Sequence, residues 1–148
     1  HPADLSWARE RVEEGGDDRL DGLGEFDLAA YASVSVAEDE TAARDAARPP
    51  VAFIAGAAAP AVLDRHGVDA DLAADIGERI SAGDFSEAFG MVTPAMIDAF
   101  CMAGTVETVS DRMAAVLANA DSIVVGSPLG PDLESALSLA AEAYDRAR

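Results

Sequence analysis

The sequence predicts an α/β fold on a parallel sheet of which this chain carries a part, and three observations say so. Ile123, Val124 and Val125 form a continuous β-branched run, the pattern of a parallel strand covered on both faces. Phe26 to Val36 alternates, with Leu28, Ala30, Ala32, Val34 and Val36 on one face and Tyr31, Ser33 and Ser35 on the other. Helical patterns occupy most of the remainder. Two strands make no stable sheet alone, and the second is too apolar for an exposed edge. Both therefore belong to a larger sheet.

Each element has a local cause. Leu5, Ala8 and Val12 stand at helical spacing within Asp4 to Glu14, and Gly15-Gly16 stops that helix before an acidic loop through Gly24. The mixed Tyr31, Ser33, Ser35 face of the first strand suits an inward barrel surface better than a solvent face. Glu38-Asp39-Glu40 puts carboxylates where a helix dipole is positive, and the helix is expected to end at Arg48, before Pro49-Pro50. From Val51 to Ala118 only helices are expected. Val51 to Ala57 is short and apolar, and is read as helix. Pro60 opens the next helix, and Arg65, His66 and Gly67 close it. Asp69 caps a helix ending near Gly83, a short turn follows to Gly90, and Thr93-Pro94 starts another. Thr105 caps a helix with Val106, Val109, Met113, Val116 and Leu117 in one stripe. After the strand at Ser122, Gly126 to Gly130 reads as a tight loop. Pro131 suits the first helical position, and Leu133, Leu137, Ala140 and Tyr144 form the last stripe.

Composition narrows the function. The formal charge is −18, lysine is absent, and half of the chain is hydrophobic, so disorder does not fit. An acidic surface over an alanine-rich core suits a cytoplasm of very high salt, where the Debye length falls to about 3 Å at 1 M. No basic patch could neutralise nucleic-acid phosphates, and no apolar run reaches membrane-spanning length. The single cysteine, Cys101, lies among apolar neighbours and reads as a buried, inert thiol. His1 and His66 are far apart in sequence and lack metal-ligand spacing, so His66 reads as a helix-end cation and no metal site is expected. Asp17-Asp18 and Glu38 to Glu40 read as solvated faces. Phe85, Phe89 and Phe100 read as helix-packing residues. The first residue is His1, not Met, so the native chain is expected to start upstream.

Four segments carry a family resemblance. They are Phe26 to Glu40; Val51 to Ala55 with Val62 to Gly67; Gly83 to Gly90 with Thr93 to Phe100; and Ala103 to Glu107 with Val125-Gly-Ser-Pro-Leu-Gly-Pro-Asp132. Together they resemble the C-terminal half of the coenzyme F-420-dependent methylenetetrahydromethanopterin reductases, in the bacterial-luciferase-like superfamily. Val106 departs from the proline common after Gly-Thr. The resemblance implies the C-terminal part of a (β/α)₈ TIM barrel, with residues 1–148 in one barrel domain. Residues 49–104 would be a long helical insertion before the last strand, and the two strands would be the seventh and eighth. It implies hydride transfer from reduced F-420, a deazaflavin, to a pterin-borne methylene carbon. Ligands of such barrels bind at the carboxyl ends of the strands.

On that reading Gly126, Ser127 and Pro128 are the candidate cofactor-binding residues, with Ser33 and Ser35 facing the barrel interior. The family's proton-handling carboxylate belongs to the N-terminal half, so no catalytic residue is expected here and the chain alone is expected to be inactive. A homo-oligomer in the cytoplasm is expected. The alternatives are a relative using FMN or a deazaflavin on another substrate, or a non-catalytic helical or oligomer-forming domain.

Overall fold

The structure is a computed structural model that describes residues 1–16, 18–20 and 22–148. Asp17, half of one predicted solvated pair, lies outside the described residues. Helix α1 spans Pro2–Gly16 and strand β1 spans Ala29–Val36. Helices α2 (Glu40–Ala57), α3 (Pro60–Arg65), α4 (Ala70–Ala82), α5 (Phe85–Met91) and α6 (Pro94–Phe100) follow. Strand β2 (Met102–Gly104), helix α7 (Val106–Leu117), strand β3 (Ser122–Leu129) and helix α8 (Leu133–Ala147) complete the chain. All three strands are parallel, in the order β2-β1-β3.

The helix starts follow the local chemistry. The side chains of Asp39, Asp69, Thr93, Thr105 and Asp132 each accept a backbone N–H at the head of their helix. Two packed regions result. One joins α2 to α6 around Val51, Leu63, Ile76, Met96 and Ile97. The other places α7 and α8 on the Ala30, Ala32, Val34, Val36 face of the sheet. Strand β2 stands between them: Ala103 belongs to the helical core and Met102 to the sheet core.

Four expectations are corrected. First, Pro49 and Pro50 do not end α2, which runs through both. Each lacks the N–H of a helical bond, but Ala47, Val51 and Ala52 are fully buried on either side and hold one continuous face against the core. Second, β2 interrupts the segment expected to be all helix, and among the described residues it pairs only with Val34 to Val36. Third, β3 runs to Leu129, so the loop begins at Gly130, and Asp132 caps α8 with Pro131 outside it. Fourth, α8 buries Ala136, Ala140 and Ala143, and leaves Leu133 and Leu137 exposed. Small side chains let the helix lie close to the sheet, which turns its larger leucines outward.

Among the described residues, no helix is long and apolar enough to cross a membrane.

Candidate functional site

Strand register assigns the two faces of the sheet. Tyr31 pairs with Val124 and Ser33 with Gly126, so these four share one face. The opposite face is the one covered by α7 and α8. The Tyr31 face is bare at its amino end: Tyr31 is 76% exposed and Val124 is 49% exposed. The β-branched run is therefore covered on one side only in this chain. Towards the carboxyl end the face closes. Ser35 is fully buried, and its hydroxyl donates to the Ala43 carbonyl of α2 at 2.6 Å.

The three predicted cofactor-binding residues lie in the last half of β3. Gly126 is buried beneath the Tyr31 side chain; a Cβ there would stand 2.6 Å from the phenolic oxygen. Glycine is thus required by a close approach within the sheet. Ser127 is exposed, and its carbonyl accepts the Ser33 hydroxyl at 2.7 Å. Pro128 follows a cis peptide bond. The ladder is irregular between the pairs Ser33–Gly126 and Ser35–Leu129, so β3 bulges at Ser127 and Pro128. Leu129 holds φ of +69°, a left-handed conformation that costs a leucine on the order of 1 kcal/mol. Bulges and strained residues gather beside sites because they re-aim side chains. Here they turn Ser127 out of the ladder at the carboxyl end of the sheet.

Two cavities border this region. The larger, about 530 Å³, is lined by Tyr31, Ala32, Ser33, Ile54, Cys101 and Arg112 among others. It runs along the part of β1 that the short β2 leaves unpaired. The smaller, about 400 Å³, lies at the carboxyl end of β1 between Val36, Ala37, Glu38, Asp132, Ser135 and Leu139. Its charged groups are Glu38 and Asp132, which repel an anionic part of any ligand. The Asp132 carboxyl is held below the usual range by the Ser135 groups that it caps. The smaller cavity therefore does not fit a phosphate.

Cys101 lies 3.5 Å from the Ser33 hydroxyl and is buried, and burial pushes its thiol up. The thiolate needed for nucleophilic chemistry is disfavoured. Beside it, Arg112 donates to the Cys101 carbonyl at 2.7 Å and to the Asp98 carboxylate at 3.1 Å. Arg44 reaches the same carboxylate at 2.8 Å, and that hydrogen bond raises its own pKa. These contacts lock the end of α6 to α2 and α7. Phe89 and Phe100 pack against the helical core, as the sequence suggests, whereas Phe85 remains exposed.

The sequence puts Tyr31, with Ser33 and Ser35, on the inward strand face, to which the strand register adds Val124 and Gly126. It also separates His1 from His66. The structure brings their rings to 4.7 Å and places Asp4 between them, with His66 Nε2 2.8 Å from a carboxylate oxygen. His66 does follow α3 at its C-cap, but its ring serves Asp4 and the Phe100 face instead of the helix dipole.

The comparisons with known proteins agree with this geometry. The family model described as luciferase-like monooxygenase matches residues 1–121. The chain is 42% identical over 140 residues to the 5,10-methylenetetrahydromethanopterin reductase of Methanopyrus kandleri, covering 94% of this chain and 40% of that one. It is 40% identical to the reductase of the same name from Methanolobus tindarius, covering 94% and 43%. The solved structure of the coenzyme F-420-dependent tetrahydromethanopterin reductase of Methanopyrus kandleri superposes with a TM-score of 0.88 at 42% identity, over 94% of this chain and 40% of that one. The chain thus spans less than half of the relatives it matches.

Proposed function

The chain belongs to the luciferase-like monooxygenase family, and from that premise we propose that it is the carboxyl-terminal part of a barrel oxidoreductase that reduces a pterin-borne methylene group with F-420. The observation that carries this reading is the agreement over 94% of the chain with reductases of that name, at 37–42% identity. The exposed features of the fold support the barrel. The Ala29 to Ser33 stretch of β1 has no neighbour on its β2 side among the described residues. The inner face carries bare Tyr31 and Val124. Helix α8 packs on α7 yet exposes Leu133 (59%) and Leu137 (54%). An unpaired edge, a bare inner face and a half-covered outer helix are what a barrel loses when its other strands and helices are removed. The larger cavity is then the slot of the adjoining strand, not a ligand pocket.

The cofactor, when bound, supplies the hydride. This chain's residues position and exclude. Gly126 lets the β3 backbone approach Tyr31 closely, and the bulge presents Ser127 at the carboxyl end of the sheet, where a polar group can orient a ring edge. Tyr31 and Val124 fill the barrel below it and keep water out, which holds donor and acceptor in contact. The carboxylate that handles protons belongs to the upstream half in this reading. A cytoplasmic location fits the same chemistry. The test is a steady-state assay of the full-length protein with reduced F-420 and methylene-pterin. Pterin-dependent oxidation of the deazaflavin is expected; a folded protein without turnover would remove the proposal. Ser127→Ala should raise KM for the deazaflavin several-fold with kcat little changed, and an unchanged KM would remove Ser127 from the site.

A further inference from the structure

We propose that His1, Asp4 and His66 form a divalent transition-metal site of the zinc type, which pins the start of α1 to the end of α3. The three residues each offer a ligand atom, and all these atoms lie within 4.8 Å of one another. Two imidazoles and one carboxylate are a donor set that zinc accepts, usually with water as a fourth ligand. Zinc–ligand distances of about 2.0–2.1 Å place tetrahedral ligand atoms roughly 3.3 Å apart. His66 Nε2 and the Asp4 oxygen are already 2.8 Å apart, so modest side-chain rotation completes the cluster.

The surroundings orient these ligands. The His66 side chain is 4% exposed, with the Phe100 ring T-shaped to it at 5.8 Å between centroids. Arg65 holds the other Asp4 oxygen, leaving Oδ2 for the metal. Arg65 is also a competing cation, so it weakens the site without blocking it. The cluster stands apart from Gly126 and Ser127, and its role is to hold the fold.

The test uses full-length protein stripped with a chelator and titrated with Zn²⁺ and with Co²⁺. One saturable equivalent is expected, with visible Co²⁺ absorption of low coordination number. Asp4→Asn and His1→Gln, both at partly exposed positions, should each weaken binding by more than about 100-fold. Arg65→Gln should tighten it. Absence of saturable binding would overturn the proposal. So would one equivalent bound equally well by Asp4→Asn, or many weak equivalents without the Co²⁺ bands, which would mark the acidic surface.

Discussion

Gly130→Ala tests the geometry that sets β3 and α8 at the carboxyl end of the sheet. Gly130 has φ of +157°, and a Cβ there would stand 2.4 Å from the Val36 carbonyl oxygen and 2.9 Å from the Ala136 Cβ. The first neighbour is backbone of the central strand, and the second is a fully buried helix residue, so neither can rotate away. An overpacked contact costs about 1–3 kcal/mol, and an unfavourable backbone conformation adds about 1 kcal/mol. The expected loss is therefore about 2–4 kcal/mol. With a urea slope of about 2 kcal/mol/M, the midpoint should fall by about 1–2 M. Gly90→Ala is the control, since nothing lies within 4 Å of its Cβ and it sits inside α5. Helix propensity predicts a gain of up to about 1 kcal/mol there. Denaturation of both variants in the full-length protein reads the difference. Equal midpoints would refute the close packing of Gly130 on Val36.

Acid should destabilise the fold below about pH 4. Burial raises the Asp4 carboxyl, but hydrogen bonds from Arg65 and His66 outweigh that and hold it below its usual range. The Leu28 N–H and Arg9 do the same for Asp121, and the Ser135 groups for Asp132. Depressed carboxyls contribute their stability above the ordinary value of about 3.9 and lose it as pH falls through the folded values. Stability that rises between pH 5 and 3 would contradict those pairings. Cys101 should react with a disulfide reagent only on unfolding, because burial disfavours its thiolate; rapid native labelling would place it at the surface. With a charge of −18, the chain should unfold or aggregate as molar salt is lowered to millimolar. An unchanged circular dichroism spectrum across that range would remove the salt-adapted reading.

The parts of the fold that were legible in the sequence are those decided by neighbours along the chain. Asp69, Thr93 and Thr105 cap helices because their side chains reach an N–H two or three residues on. The Tyr31, Ser33 face was legible because a strand alternates. Strand β2 was not: three residues carry no period, and its partner lies 68 residues away. The passage of α2 through Pro49 and Pro50 depends on tertiary burial that overrides a local breaker. In α8 the leucine stripe gave the wrong face, because alanines at 136, 140 and 143 allow a closer approach than Leu133 or Leu137 would. At the site, Gly126 and Ser127 stood out as loop chemistry, while the structure makes them part of a bulged strand. The joining of His1, Asp4 and His66 rests on how α1 meets α3, which no local pattern encodes.

As proposed, this chain completes a barrel that passes hydride from a deazaflavin to a pterin. The most direct measurement places deuterium on the hydride-donating carbon of reduced F-420 and follows it in the full-length protein. Deuterium is expected in the methyl group of the pterin product, in proportion to the deazaflavin oxidised. Methyl product whose new hydrogen comes from solvent, or deazaflavin oxidised without methyl product, would contradict it.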